Sequence, residues 1–267
     1  MKVANKVVVV TGAGSGIGRE LVLDLLSKGA HVAGIDVNAT TLDETGRLGG
    51  PRQAQFEPFV TNISERAAVE ELPAKIVARF GRVDCIINNA GIIQPFVRVS
   101  DLDFAAIERV LNVNLFGTLL VTKAFLPHLL QRPQAHIVNI ASMGGFVPVP
   151  GQTIYGASKA AVKLLSEGLW SELLGTNVRV STVFPGAVAT NILTHSNVSI
   201  KGAVARKGGT RGLQPRRAAQ IIVRGIERDA FHVFVGRDAA IMDALYRLNP
   251  AFAARTIAKR MGELLSR

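Results

Sequence analysis

Short apolar segments alternate along the chain with longer segments whose apolar residues have helical spacing. The first is a run of four valines, and apolar residues recur on one helical face in residues 17–28 after it. Near-continuous hydrophobicity is typical of strands buried on both faces of a parallel sheet. The pattern therefore predicts a doubly wound α/β fold with seven parallel strands and helices on both faces. The predicted strands are Val7–Val10, His31–Asp36, Gln55–Val60, Val83–Asn88, His136–Ala141, Val178–Phe184 and Phe231–Val235.

A glycine-rich turn joins the first predicted strand to the first predicted helix, and it reads TGAGSGIG at residues 11–18. Glycines at such a turn allow close approach of a ligand to the backbone, and the free N–H groups of a helix N-terminus bind phosphate. We therefore predict a dinucleotide site whose contacts in this loop are Gly12, Ser15, Gly16, Ile17 and Gly18.

Asp36 ends the second predicted strand, where a dinucleotide-binding loop is normally followed by an acidic residue. Its carboxylate would accept hydrogen bonds from the adenosine ribose and would repel a 2′-phosphate. Neither Ser15 nor Val37 supplies the cation that a 2′-phosphate needs. We therefore predict NAD rather than NADP as the cofactor.

Tyr155 and Lys159 lie near the start of another predicted helix. Residues four apart share one helical face, so both side chains can reach the same site. A free tyrosine has a pKa of about 10, and lowering that pKa by about three units takes roughly 4 kcal/mol of preferential phenolate stabilisation. Lys159 and the positive ring of a nicotinamide are the expected sources of that stabilisation.

Together these motifs make the chain resemble the short-chain dehydrogenase/reductase family. The resemblance covers roughly residues 5–190 and implies a Rossmann domain that transfers a hydride between a CH–OH group and a nicotinamide cofactor. It also implies a homodimer or homotetramer packed through the helix from Tyr155 to Leu174 and the helix before it. The motifs, in family order, are TGAGSGIG, NNAG at 88–91, Val113-Asn114, Ser142, YGASK at 155–159 and Pro185-Gly186.

The same resemblance implies roles for four catalytic residues. Tyr155 would be the general acid/base, and Lys159 would bind the nicotinamide ribose and lower the pKa of Tyr155. Ser142 would hydrogen-bond the substrate oxygen, and Asn114 would hold a proton-relay water. Gly144 and Gln152 are expected beside Ser142 and Tyr155 at the substrate.

Further cofactor contacts follow from the resemblance. They are Asn62, Ile63, Asn89, Ala90, Gly91, Pro185, Gly186, Val188 and Thr190. Asn62 stands where family members commonly carry aspartate, but its side-chain oxygen can also accept a bond from the adenine amino group.

The segments expected to border the substrate are apolar, so we predict a hydrophobic secondary alcohol or its ketone. Two alternatives remain. An NADP-type reductase of 3-oxoacyl thioesters is disfavoured by Asp36, and a non-catalytic NAD sensor is disfavoured by the complete catalytic set. The apolar residues are Ile92, Ile93, Pro95, Phe96, the segment from Met143 to Pro150, Val188, Ile192 and Leu193.

Residues 1–267 are expected to form one nucleotide-binding domain. The polar stretch 187–215 predicts a lid over the substrate, and residues 216–267 a basic C-terminal extension. Between Lys201 and Arg267 there are 14 basic and 5 acidic residues, so this part of the chain carries most of its net charge of +11. A helix from Pro250 would be amphipathic and basic; it could touch anionic lipid, but packing on protein is the favoured interpretation. Its apolar face would carry Ala253, Ile257, Met261, Leu264 and Leu265.

Composition excludes several other classes. The chain is 48% hydrophobic and 19% charged, which is unlike a disordered protein. The single cysteine, Cys85, cannot form an internal disulfide, and no metal-ligand spacing occurs, so we expect no metal and a reducing compartment such as the cytoplasm. Only 6% of residues are aromatic and no recognition motif occurs, so nucleic acid is not an expected partner. No apolar run approaches the roughly 20 residues of a spanning helix, which predicts a soluble or peripheral protein.

Overall fold

The computed structural model describes residues 1–190, 192, 196 and 212–261. Seven parallel strands form one sheet in the order β3-β2-β1-β4-β5-β6-β7. This confirms the predicted doubly wound sheet, and every predicted strand is present to within two residues at either end. The strands are β1 (Val7–Thr11), β2 (His31–Asp36), β3 (Phe56–Val60), β4 (Cys85–Asn88), β5 (Ala135–Ile140), β6 (Val178–Pro185) and β7 (His232–Val235).

Helices cover both faces of the sheet, and their apolar residues form two separate core clusters. One cluster joins α1, α2 and α7 to the sheet, and the other joins α3, α5 and part of α6. The helices are α1 (Gly16–Ser27), α2 (Ala39–Leu48), α3 (Arg66–Phe80), α4 (Phe104–Leu111), α5 (Thr118–Leu130), α6 (Thr153–Glu172), α7 (Pro215–Glu227), α8 (Arg237–Leu248) and α9 (Pro250–Met261).

The valine run of β1 shows why the strands have continuous hydrophobicity. Val8 and Val10 belong to one core cluster, whereas Val7 and Val9 belong to the other. Successive side chains of a strand point to opposite faces, so a strand covered on both faces needs an apolar residue at every position.

The segment from Phe104 to Leu130 departs from the expectation that no part of the chain is long and apolar enough to span a membrane. Helices α4 and α5 are joined by the π-helical turn Asn112–Gly117, and the resulting helix of 27 residues is long and apolar enough to cross a membrane. Polar residues such as Glu108, Arg109, Asn112 and Lys123 interrupt its sequence, so no unbroken apolar run is visible. One face, including Val121, Phe125 and Leu129, is fully buried in the cluster between the sheet and α3. The helix is therefore part of the layer that covers the sheet.

Residues 216–235 are part of the main fold rather than of an extension. Helix α7 contributes Ala218, Ile222 and Ile226 to the core cluster around α1, and β7 completes the sheet beside β6. Within the residues that the structure describes, α8 and α9 are the elements that follow the last strand. Helix α9 begins at Pro250 as predicted, with Ala253 and Ile257 buried. Leu264 and Leu265 lie outside the described residues.

The polar stretch 187–215 is anchored at both ends. Val188 and Leu213 form a parallel bridge, with the N–H of Ala189 donating to Leu213 O at 3.0 Å and that of Leu213 to Ala187 O at 2.8 Å. Most of the residues between them, including Leu193, lie outside the described residues, so the lid stays a prediction.

The chain reverses its direction of winding between β1 and β4. Strands β2 and β3 lie on one side of β1, and β4 to β7 extend on the other. In such sheets, ligands bind beyond the carboxyl ends of the strands at this switch point.

Candidate active site

A cavity of about 740 Å³ opens at the carboxyl ends of the strands. The size is within the usual range for small-molecule sites. The structure brings together there all of the predicted site residues except Gly18 and Asn114. Those on its wall are Gly12, Ser15, Gly16, Ile17, Asp36, Asn62, Ile63, Asn89, Ala90, Gly91, Ser142, Gly144, Gln152, Tyr155, Lys159, Pro185, Gly186, Val188 and Thr190.

The glycine-rich loop fits a pyrophosphate. Gly12 and Gly16 have φ angles of +67° and +53°, a region that favours glycine. Ser15 is the N-cap of α1, but its side chain makes no capping hydrogen bond, and the first turn of α1 holds no acidic residue. The N–H groups of that turn therefore remain available to an anion.

Gly18 does not line the cavity, so its contact with the cofactor stays a prediction. A Cβ at this position would overlap the carbonyl oxygen of Gly12. The absence of a side chain therefore allows α1 to pack against the loop, which places Gly18 beneath the binding surface.

Asp36 is held in place at one end of the cavity. Its Oδ2 accepts the N–H of Gly14 at 2.9 Å, and its Oδ1 accepts the N–H of Asn38 at 3.1 Å. A carboxylate has about four acceptor positions, so two remain for ribose hydroxyls. Of the described residues on the cavity wall, only Asp36 and Lys159 carry a charge. This end therefore offers hydrogen-bond acceptors to the hydroxyls of a ribose.

Asn62 lines the cavity, but its side-chain oxygen is already engaged. Its Oδ1 accepts the backbone N–H of Ser64 at 3.1 Å and the hydroxyl of Ser64 at 2.8 Å. An amide oxygen has two lone pairs, so the predicted bond from the adenine amino group would compete with these two.

The NNAG motif is tied to the end of β1. Thr11 Oγ1 accepts the N–H groups of Asn89 and Ala90, both at 3.0 Å, and Asn89 Nδ2 donates to Thr11 O at 3.0 Å. Asn88 is buried and donates to Thr122 and Asn139. The motif thus joins neighbouring strands where they meet the cavity.

Ser142 follows the end of β5 and Tyr155 lies at the start of α6, and both side chains line the cavity. Ser142 Oγ accepts the N–H of Gly144 at 3.0 Å, which leaves its hydroxyl proton free to donate. Burial raises the pKa of Tyr155, and a hydrogen bond with Ser142 acts in the opposite direction.

Lys159 is buried one turn after Tyr155, and its amine donates to Ile140 O at 2.8 Å. Burial lowers the pKa of Lys159 to about 8. The lowering of the Tyr155 pKa by Lys159 stays a prediction. The other two N–H groups of Lys159 remain for ribose hydroxyls.

Asn114 is fully buried and does not line the cavity, so its contact with a relay water stays a prediction. It lies in the π-helical turn, and its Oδ1 accepts the N–H of Ile92 at 2.8 Å. Its Nδ2 donates to Ile92 O at 2.9 Å and to Ser158 Oγ at 3.0 Å. Asn114 therefore positions the loop after β4 against α6.

Gln94 is a positioning residue that the sequence does not reveal. Its Oε1 accepts the N–H groups of Ile154 at 2.8 Å and Tyr155 at 3.0 Å. Gln94 O in turn accepts Gln152 Nε2 at 2.8 Å. Gln94 thus caps the N-terminus of the helix that carries Tyr155, from about 60 residues away in sequence.

Comparison with known families identifies the class of protein that this fold and cavity define. The family model described as short chain dehydrogenase matches residues 6–200. The chain therefore belongs to the short-chain dehydrogenase/reductase family of NAD(P)-dependent oxidoreductases, enzymes that act on CH–OH donors.

Two relatives in this family are similar to the chain in sequence over most of its length. SadH of Mycobacterium tuberculosis is 38% identical over 260 residues, which cover 95% of this chain and 94% of that protein. The 3-oxoacyl-[acyl-carrier-protein] reductase FabG of Thermotoga maritima is 36% identical over 192 residues, covering 71% of this chain and 77% of that protein.

Solved structures with similar folds hold either dinucleotide. A Burkholderia phymatum short-chain dehydrogenase/reductase in complex with NAD superposes with a TM-score of 0.84 at 26% identity, covering 94% of this chain and 96% of that one. A Burkholderia cenocepacia short-chain dehydrogenase in complex with NADP superposes with a TM-score of 0.79 at 27% identity, covering 98% and 99%. These likenesses support a nicotinamide dinucleotide without distinguishing the two forms.

Proposed function

We propose that the protein interconverts a hydrophobic secondary alcohol and its ketone, with NAD as the cofactor. One observation carries the proposal: a single cavity holds Asp36 at one end, Ser142, Tyr155 and Lys159 at the other, and apolar walls around the latter. Those walls are formed by Ile92, Ile93, Phe96, Met143, Val149 and Ile192.

The proposed mechanism assigns one task to each polar side chain. The hydroxyl of Ser142 donates to the substrate oxygen and orients it toward Tyr155. Tyr155 accepts the carbinol proton at its phenolic oxygen, which is the general-base step of oxidation. Lys159, which carries a positive charge below a pH of about 8, holds ribose hydroxyls with its remaining N–H groups. A bound nicotinamide ring supplies the hydride acceptor. Ketone reduction reverses these steps.

The substrate class is tested by NADH formation from a panel of secondary alcohols matched in size but differing in polarity. We expect hydrophobic alcohols to react with a kcat/KM at least about tenfold above that of polyols, because each buried CH2 contributes about 0.8 kcal/mol. A preference for polyols would contradict the proposal. Cofactor binding without turnover of any alcohol would favour the non-catalytic sensor instead.

The cofactor preference is tested with Asp36→Asn. This change removes the negative charge that would face a 2′-phosphate but keeps one side-chain oxygen as acceptor. Unit charges about 4 Å apart interact by about 4 kcal/mol near a protein surface. Allowing for screening, we expect the ratio of kcat/KM for NAD over NADP to fall at least about thirtyfold. The measurement is initial rates with both cofactors.

Asp43→Asn is the matched control for Asp36→Asn. Asp43 is exposed on α2, so its loss changes the net charge equally without changing the cavity wall. A ratio that shifts equally in both variants, or in neither, would show that Asp36 does not select the cofactor.

Reduction of 3-oxoacyl thioesters is the second candidate, and the likeness to the Thermotoga maritima reductase favours it. Asp36 disfavours it to the extent that this reaction uses NADP. Adding acyl thioesters of several chain lengths to the ketone panel, with NADH and with NADPH, distinguishes the two functions.

A homodimer or homotetramer packed through α6 and the helix of residues 104–130 remains part of the proposal. Both helices expose large apolar side chains, which supports their burial between subunits. These side chains are Phe104, Phe116 and Leu164, and Leu174 is exposed just after the end of α6. A cytoplasmic location also remains a proposal.

A further inference from the structure

We propose that Asp238, in the first turn of α8, positions the loop after β6 for binding the nicotinamide half of the cofactor. The inference rests on the proposed function only in that the site takes a nicotinamide dinucleotide. It concerns affinity, and it is independent of which alcohol reacts.

The carboxylate of Asp238 binds the loop directly after the last backbone hydrogen bond between that loop and β7. The ladder between β6 and β7 ends at Pro185 and Val235, after which the N–H of Gly186 donates to Val235 O at 2.9 Å. The next N–H, that of Ala187, donates to Asp238 Oδ2 at 2.7 Å. Asp238 thus continues the hydrogen bonding by one residue beyond the last strand.

Two glycines leave the space that this carboxylate occupies. A Cβ on Gly186 would overlap the carboxylate of Asp238, and so would a Cβ on Gly236. Gly236 also has a φ angle of +109°, which favours glycine. Glycines at two separate positions of the chain therefore both leave room for the same carboxylate, which indicates a specific contact.

The held loop forms part of the cavity wall. Pro185, Gly186, Ala187 and Val188 all line the cavity, and Asp238 itself does not. Val188 is also bridged to Leu213, so the loop is fixed at its far end as well. Without the bond from Ala187, the residues between the sheet and that bridge lose their one side-chain anchor among the described residues.

The location of the loop predicts which half of the cofactor is affected. It lines the same cavity as Tyr155 and Lys159, whereas Asp36 lies at the end of β2, which three strands separate from β6 in a sheet ordered β2-β1-β4-β5-β6. A loop at the end of β6 is therefore on the side of the catalytic residues. Its displacement should weaken contacts with the nicotinamide and leave those with the adenosine intact.

The test is calorimetric binding of two probes, NAD and ADP-ribose, to Asp238→Ala. ADP-ribose lacks the nicotinamide. We expect the Kd of NAD to rise about tenfold and the Kd of ADP-ribose to stay within about twofold. A merely structural role of Asp238 in α8 would weaken both probes equally. Equal loss for both probes, or no loss for either, overturns the proposal.

Two further variants complete the test. In Asp238→Asn the amide oxygen can still accept the N–H of Ala187, so we expect an NAD affinity within about threefold of the wild type; a loss as large as that of Asp238→Ala contradicts the proposal. Asp243→Ala is the control, because Asp243 lies on the same helix and pairs with Arg247 at the surface. Should Asp238→Ala not fold, Gly186→Ala, which displaces the carboxylate, must show the same selective loss of NAD.

Discussion

Replacing Tyr155 by phenylalanine is expected to lower kcat for alcohol oxidation at least about a thousandfold. The phenolic oxygen is the proposed proton acceptor, and a positioned general acid or base contributes about 10²–10⁴ in rate. The ring remains in place, so the Kd of NAD should stay within about twofold. Stopped-flow or steady-state NADH formation and calorimetric NAD binding give the two values.

The chain offers a matched control for this variant. Its only other tyrosine, Tyr246, lies on α8 against Phe146 and does not line the cavity. Tyr246→Phe removes the same hydroxyl and should leave kcat within about twofold. A residual rate in Tyr155→Phe above about a tenth of the wild type would remove Tyr155 from its proposed role.

The pH dependence follows from the same residue. Burial raises the pKa of Tyr155 above its ordinary value. The phenolate that accepts the proton in oxidation is therefore scarce at neutral pH and becomes more populated as the pH rises. We expect kcat/KM for oxidation to increase from pH 7 to pH 10 and that for ketone reduction to decrease. An oxidation rate independent of pH over this range would contradict the assignment of Tyr155 as the base.

Replacing Asp84 by alanine is expected to destabilise the protein by about 1.5–3 kcal/mol, because its loss removes charge-assisted hydrogen bonds and leaves the N–H of Val7 without its side-chain partner. Asp84 is fully buried just before β4. Its Oδ2 accepts Val7 N at 2.9 Å and Arg82 Nε at 3.0 Å, and its Oδ1 accepts Arg132 Nε at 2.9 Å. Chemical unfolding followed by circular dichroism measures the effect.

Acid should weaken the same network. Burial favours the neutral form of Asp84, but the Val7 N–H and the guanidinium groups of Arg132 and Arg82 outweigh it and hold the pKa below its ordinary value. A carboxylate with a lowered folded-state pKa stabilises above its unfolded pKa of about 3.9, and this contribution is lost as pH falls through the folded pKa. Asp84→Ala should therefore show a flatter loss of stability below about pH 4 than the wild type.

Glu71→Ala serves as the control for Asp84→Ala, because Glu71 forms an exposed pair with Lys75. Exposed pairs contribute little to stability, so the unfolding free energy of Glu71→Ala should stay close to that of the wild type. Asp84 lies at the amino ends of the strands, opposite the cavity. Folded Asp84→Ala should therefore retain its NAD affinity, and a large loss of that affinity would contradict a purely structural role.

The strands and the cofactor loop were predictable because their signals are local. Continuous apolar runs such as Val7–Val10 predict a buried parallel strand, and glycines followed by Asp36 predict a phosphate loop and a ribose contact within one βαβ unit. The structure places these residues where the local pattern indicates.

The contacts that the sequence did not predict are long-range hydrogen bonds. Gln94 caps α6 from about 60 residues away, and Asp238 holds Ala187 from a separation of 51 residues. The motif around Asn114 likewise did not reveal that its amide is bonded to Ile92 and Ser158. Residue type and spacing do not specify which of several possible partners a side chain finds after folding.

Because Val188 and Leu213 form a bridge, the segment between them can be replaced as a unit. The two ends of that segment meet in this bridge, so an insertion or deletion between them need not alter the strands or the glycine loop. Closing a loop twice as long costs only about 0.6 kcal/mol more. Chimeras that exchange residues 190–212 with those of relatives should therefore acquire a new substrate range and retain the parent's choice of dinucleotide.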